Sequence, residues 1–281
     1  MDFQVISNKG SGSVNEDVLL VADPLFGVFD GATSLRPYKD KQGRTGGYLA
    51  ASLARNFFFR GSQGKEELYS LALKANKAIV DSMLISELNV NDKLNLWGTT
   101  ATVDLVKETT FDWLQIGDSA GLVIYDDHSF KPFVEYHEHD KGWQSLWKKL
   151  AEEGMLREDV VERIKQEVEQ LRKTTNVSGG YGALNGEEGM TDFLQFGTRS
   201  LKGVKHILLF TDGLMIPKED PSQREKFREM VDLFLEGGLE HVMGYVRNVE
   251  RNDKPGGVAP RRFYKHFYKQ HDDIGAIALS F

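Results

Sequence analysis

Five short acidic clusters close apolar runs along this chain: Asn15-Glu16-Asp17, Phe29-Asp30-Gly31, Gly117-Asp118-Ser119, Thr211-Asp212-Gly213 and Asp272-Asp273. A carboxylate at the end of a strand-like run is held rigidly and can project into a cleft. Several such groups meeting at one point repel each other strongly unless cations neutralise them. Oxygen ligands of this type suit hard ions, so the pattern predicts a magnesium or manganese site.

Composition narrows the remaining classes. The 281 residues are 40% apolar and include 17 Phe, 9 Tyr and 4 Trp, enough for a sizeable core. Acidic residues outnumber basic ones, 42 to 35, a net charge of −7 that disfavours a nucleic-acid partner. Cysteine is absent, which excludes disulfides, thiolate zinc sites and cysteine nucleophiles and fits a reducing compartment. Residues 1–7 lack the basic-then-apolar pattern of a signal peptide. No run approaches the roughly 18 apolar residues of a membrane helix. The expectation is a soluble, cytoplasmic, monomeric protein with no membrane partner.

The elements that must carry the clusters follow from periodicity. Strands are expected at 2–7, 18–22, 26–29, 99–106, 110–116, 121–125, 131–136, 192–197, 204–210 and 274–281. The run from 99 to 136 reads as an antiparallel meander, with Gly117-Asp118-Ser119 as a hairpin. Helical patterns cover 44–60 and 65–88, the second with Leu68, Leu71, Ala72, Ala75, Ile79 and Met83 on one face. Residues 140–173 are charged and helical, with a stripe of Trp143, Leu146, Trp147 and Leu150 expected to pack on the main body. Residues 174–191 read as a Gly-rich irregular segment, 222–250 as one or two helices and 252–260 as a loop. Many antiparallel strands with two early helices predict one α+β domain built on a β-sandwich.

In order and surroundings these clusters resemble the metal-dependent protein phosphatases of type 2C, in a divergent, bacterial-like form. The acidic pair matches Glu16 and Asp17, and the strand ending in Asp-Gly matches Asp30-Gly31. Gly98-Thr99-Thr100-Ala101 matches the Gly-Thr-Thr-Ala strand start, and Gly117-Asp118-Ser119 the Gly-Asp-Ser turn. Thr211-Asp212-Gly213 and Asp272-Asp273 match the two late motifs.

The resemblance implies two stacked antiparallel sheets flanked by helix pairs, over a single domain at 1–281 with a flap at about 140–191. It implies two magnesium or manganese ions in a cleft at one end of the sandwich. Asp30 would bridge both. The Gly31 carbonyl would meet one ion, directly or through water, and Asp212 and Asp272 would hold the other. Glu16 or Asp17 would serve the first, partly through water, and Asp118 a third ion found in some members. Asp30, Asp212 and Asp272 would carry catalysis through a metal-bridging water. The expected reaction is dephosphorylation of phosphoserine or phosphothreonine in a phosphoprotein, a signalling role. A catalytically weak pseudophosphatase acting as a binding module, and a phosphatase of small metabolites, are the alternatives. The chemistry stands on its own terms: divalent ions lower the pKa of water and offset charge on phosphoryl oxygens.

Two positions depart from the family pattern. Gly12 stands at about the place of an Arg that clamps the substrate phosphate, with Lys9 the nearest cation in sequence. Loss of that contact forfeits a charge-assisted hydrogen bond worth roughly 1.5–3 kcal/mol. Ala32 follows Gly31, where many animal and plant members have a His. Arg36 and Arg44 are the expected substitute cations, with Arg261, Arg262 and Lys265 also upstream of Asp272. Gly117–Gly121 formally matches a Gly-x-Ser-x-Gly nucleophile elbow, but a β-rich segment follows it where a helix is required. His137 and His139 read as parts of a solvated polar loop.

Overall fold

The computed structural model describes the chain except for residues 33–34, 62–65, 136–138, 156, 219 and 253–270. The strands form two five-stranded antiparallel sheets. One has the order β1-β10-β9-β6-β7, built from β1 (Asp2–Asn8), β10 (Ile274–Ser280), β9 (Val204–Phe210), β6 (Ala120–Tyr125) and β7 (Phe130–Pro132). The other has the order β2-β3-β4-β5-β8, built from β2 (Val18–Ala22), β3 (Leu25–Ala32), β4 (Gly98–Val106), β5 (Thr110–Ile116) and β8 (Gln195–Ser200).

Alternation along the strands makes the layers. Phe26, Val28, Phe111, Val123, Ile207, Leu209, Ile277 and Leu279 fill the space between the sheets. The opposite face of the second sheet, through Phe29, Ala101, Val103 and Leu114, packs on α1 (Gly46–Gly61) and α2 (Leu68–Ile85). The outer face of the first sheet, through Leu208, Phe210, Ala276 and Ala278, packs on α5 (Phe227–Asn252). This helix bends at Gly237 and Gly238, where the Gln4 side chain accepts a hydrogen bond from Leu239 N at 3.0 Å. No helix among the described residues is long and apolar enough to cross a membrane.

The strands expected at 131–136 and 192–197 lie instead at Phe130–Pro132 and Gln195–Ser200, and two larger expectations change. The run from 99 to 136 is no single meander. β5 pairs with β4 and β8, whereas β6 pairs with β9 and β7, so Gly117-Asp118-Ser119 crosses from one sheet to the other. Sequence spacing cannot distinguish a hairpin from a crossover of equal length. The aromatic stripe also finds a different partner. Trp143, Trp147 and Leu150 of α3 (Lys141–Glu152) pack on Val160 and Ile164 of α4 (Arg157–Lys173), giving this helical pair a small core of its own.

Candidate metal centre

Strand register gathers the acidic clusters. Val18 of β2 lies opposite Phe29 of β3, so Asp17 and Asp30 follow one step beyond on that ladder. In the other sheet Phe210 lies opposite both Ala120 and Ala276. Asp118, two residues before Ala120, and Asp212, two after Phe210, therefore leave the sheet at the same level. Asp272 and Asp273 enter β10 beside them. Phe26 and Val28 point between the sheets; by the same alternation Asp30 points into the mouth of the sandwich. The five clusters thus share one end of the fold.

Threonine and serine side chains fix these turns. Gly117 has φ +77°, a conformation glycine accepts at no steric cost, and a side chain there would meet Thr100. The Thr100 and Ser119 hydroxyls share a hydrogen bond of 2.7 Å, and the Thr102 hydroxyl donates to the Ser119 carbonyl at 2.8 Å. The Thr99 hydroxyl donates to the Asp30 carbonyl at 2.8 Å. The Gly-Thr-Thr-Ala signature thereby holds both Asp30 and the Asp118 turn.

The electrostatics are those of crowded carboxylates. Burial pushes the Asp30 carboxyl well above the usual carboxylate range, and the charges of Asp17, Asp212, Asp118 and Asp272 push it further. Burial likewise raises Asp17. The Thr211 hydroxyl, donating to Asp17 Oδ2 at 2.7 Å, opposes that rise, while Asp272, Asp273 and Asp212 add to it. A divalent cation would reverse this balance by favouring the ionised forms. Among the described residues, no three acidic or His side chains stand together so as to hold a metal ion. An open, all-oxygen set still fits magnesium, which keeps several waters and takes only one or two carboxylates.

Glu16 is buried and its Oε1 lies against the first turn of α1: a Cβ added at Gly47 would come within 2.9 Å of it. The positive end of that helix favours a carboxylate there. Gly31 is pressed on the same turn, since an added Cβ would sit 2.5 Å from Gly47 C and 2.6 Å from its oxygen. The structure therefore gives Gly31 a packing reason that the sequence did not reveal. Gly31→Ala should force α1 away from β3 and cost about 1–3 kcal/mol, as overpacking does. Thermal unfolding in EDTA would read this; an unchanged melting temperature would contradict the packing account.

Asp273 is a residue that sequence reasoning passed over in favour of its neighbour. It is buried, and its carboxylate accepts the Gly10 amide at 2.7 Å and the Glu16 amide at 2.8 Å. It holds the loop that delivers Glu16 and Asp17. The doublet was visible in sequence, but that Asp273 is the member tied to the Gly10 and Glu16 amides depends on tertiary structure.

The other candidates fall in different places. Arg36 pairs with Asp92 at 2.9 Å and Arg44 with Asp40 at 2.6 Å. Lys39, unremarked in the sequence, brings its Nζ to 3.3 Å from the Ser13 hydroxyl, beside Gly12. Arg261, Arg262, Lys265, His137 and the loop at 253–260 lie outside the described residues. His139 is no solvated loop residue. It is stacked on Tyr181 at 4.1 Å, with Nε2 3.6 Å from both Asp118 Oδ2 and Asp140 Oδ1.

Comparisons with known proteins address the fold and the family. A protein phosphatase 2C family profile matches residues 7–243. No curated protein sequence gives a significant match. The fold is similar to the catalytic domain of serine/threonine protein phosphatase PstP in complex with two manganese ions, with TM-score 0.56 and 17% identity over 99% of this chain and 96% of that one. Serine/threonine phosphatase PstP/Ppp from Mycobacterium tuberculosis gives TM-score 0.58 and 17% identity, covering 100% of this chain and 98% of that one. Serine/threonine phosphatase Stp1 from Staphylococcus aureus gives TM-score 0.58 and 14% identity, with 100% and 94% covered. At such identities the structural likeness speaks for the fold, and the profile over most of the chain speaks for ancestry: this protein belongs to the protein phosphatase 2C family.

Proposed function

We propose that this chain hydrolyses phosphoserine and phosphothreonine monoesters of proteins with two magnesium or manganese ions. Family and fold support serine/threonine phosphatase activity in general. The observation that carries the finer reading is that strand register places Asp17, Asp30, Asp118, Asp212 and Asp272 at one end of the sandwich, where four of these charges act on Asp30. Asp30, on which the charges of Asp17, Asp212, Asp118 and Asp272 all act, would serve both ions. Asp212 and Asp272 would hold one ion, Glu16 or Asp17 and the Gly31 carbonyl the other, and Asp118 a third. Bound there, the ions would supply water activation and charge neutralisation at the phosphoryl group.

The protein's own part is positioning. With Gly12 in place of an Arg, the substrate phosphate needs another cation. Lys39 suits this best, because its Nζ reaches the Ser13 hydroxyl while Arg36 and Arg44 are each engaged by a carboxylate. Lys39→Ala should raise KM for an aryl phosphate about tenfold with little change in kcat, the scale of one charged hydrogen bond. An unchanged KM would remove Lys39 from substrate binding. The α3–α4 pair and the loop to about 191 would shape access, since His139 and Tyr181 bring its root to Asp118.

The test is p-nitrophenyl phosphate hydrolysis with manganese, with magnesium and with EDTA. Turnover that needs the ion supports the proposal, and phosphopeptides then address substrate class. Ion binding without turnover on either would favour a binding module on the same fold.

A further inference from the structure

We propose that Arg247, on α5, is a positioning residue for Asp272. The inference rests on the reading of Asp272 as an ion ligand.

The β1–β10 ladder ends at the pair Asn8 and Ile274. Asp272 lies beyond that last rung. Arg247 spans from the end of β1 to it. Its Nε and Nη2 donate to Asn8 Oδ1 at 3.0 and 2.9 Å, and Nη2 also donates to the Asp272 carbonyl at 2.6 Å. Nη1 donates to Glu250 Oε2 at 2.8 Å. The Arg247 side chain is 12% exposed and that of Glu250 6%. Glu250 Oε2 also meets His271 Nδ1 at 3.0 Å, and the His271 carbonyl accepts the Ser11 amide at 2.9 Å. One guanidinium therefore ties α5, the end of β1 and the entry to β10 together.

The consequence reaches the acidic cluster through short steps. The Asp272 carboxylate accepts the Asp273 amide at 2.9 Å, and the Asp273 carboxylate accepts the amides of Gly10 and Glu16. Fixing the Asp272 peptide fixes both carboxylates and the loop before Asp17. A guanidinium is suited to this because its donors are coplanar and can bridge two oxygens at set angles, whereas an ammonium is a point charge. Partners that orient metal ligands typically change metal affinity 10–100-fold when lost.

Manganese titration calorimetry on the full chain tests this, alongside thermal unfolding in EDTA and hydrolysis at saturating manganese. Arg247→Met should weaken manganese binding at least tenfold, with much of kcat recovered at saturation. Arg247→Lys should fall between it and the wild type. A melting temperature lowered with manganese affinity intact would make Arg247 merely structural and overturn the proposal. Should Arg247→Met fail to fold, Arg247→Lys and Glu250→Gln decide: unchanged affinity in both overturns it. Manganese binding without hydrolysis by the wild type would sink the phosphatase reading alone. No binding by the wild type would sink both.

Discussion

Asp30→Asn should cut hydrolysis about a thousandfold and yet stabilise the metal-free protein. Asp30 sits where the charges of Asp17, Asp212, Asp118 and Asp272 all act, and burial raises its pKa in the same direction. A carboxyl whose folded pKa is raised contributes stability that is fully present below its unfolded pKa. That contribution is lost as pH rises through the folded value, so in EDTA the group opposes folding increasingly as pH rises above the unfolded value. The amide keeps the shape and removes one of the mutually repelling charges. Each kcal/mol relieved raises the melting temperature about 2–4 °C at domain sizes near this one. Saturating manganese should reverse the order, because ligand binding to the folded state stabilises only the chain that still binds it. Activity should fall on the order of a thousandfold, the upper range for removing one preorganised electrostatic group. The decisive comparison is the two melting temperatures with EDTA and with manganese. A variant less stable in both conditions would make Asp30 a structural residue.

Asp104→Val should stabilise the protein without touching the site. Asp104 is fully buried in β4, facing the space between the sheets, with Phe26 and Trp113 directly across from it on β3 and β5. Among the described residues neither carboxylate oxygen has a hydrogen-bond partner. Burial, with the charge of Asp112 added, raises its pKa well above the ordinary value. The sign is the same as for Asp30: the penalty is absent below the unfolded pKa of about 3.9 and grows as pH rises towards and through the folded pKa. An unsatisfied buried polar group costs about 1–3 kcal/mol, and valine suits a strand interior. Urea unfolding at several pH values would show wild type and variant diverging as pH rises from about 4. Parallel curves would mean that Asp104 has a partner or a solvent path, and a less stable variant would mean that valine does not fit. Hydrolysis should be unchanged.

Much of this protein was legible one element at a time. The short apolar, β-branched and aromatic-rich runs at Val18–Ala22, Thr110–Ile116 and Val204–Phe210, each bounded by turn residues, predicted those strands to the residue. The acidic clusters were legible for a related reason. Carboxylates have few uses at the ends of apolar runs, and ion binding is one of them. Composition and motif order were enough to expect an oxygen-ligand centre on an α+β sandwich.

Other features had no local signature. Whether Gly117-Asp118-Ser119 turned within a sheet or crossed between sheets depended on which strands β5 and β6 would pair with, and those partners, β8 and β9, lie some 80 residues away in sequence. The division of labour between Asp272 and Asp273 depended on the tertiary contacts of Asp273 with the Gly10 and Glu16 amides. Arg36 and Arg44 looked available because their partners Asp92 and Asp40 could not be assigned by spacing. Lys39 and Arg247 were invisible as functional candidates, since a lone cation carries no pattern until folding brings Ser13, Asn8 or Asp272 beside it. The sequence by itself determined most of the elements and showed that acidic clusters stand at the ends of strands. Tertiary structure alone decided which carboxylates face one another and what holds them there, because those contacts join residues far apart in the chain.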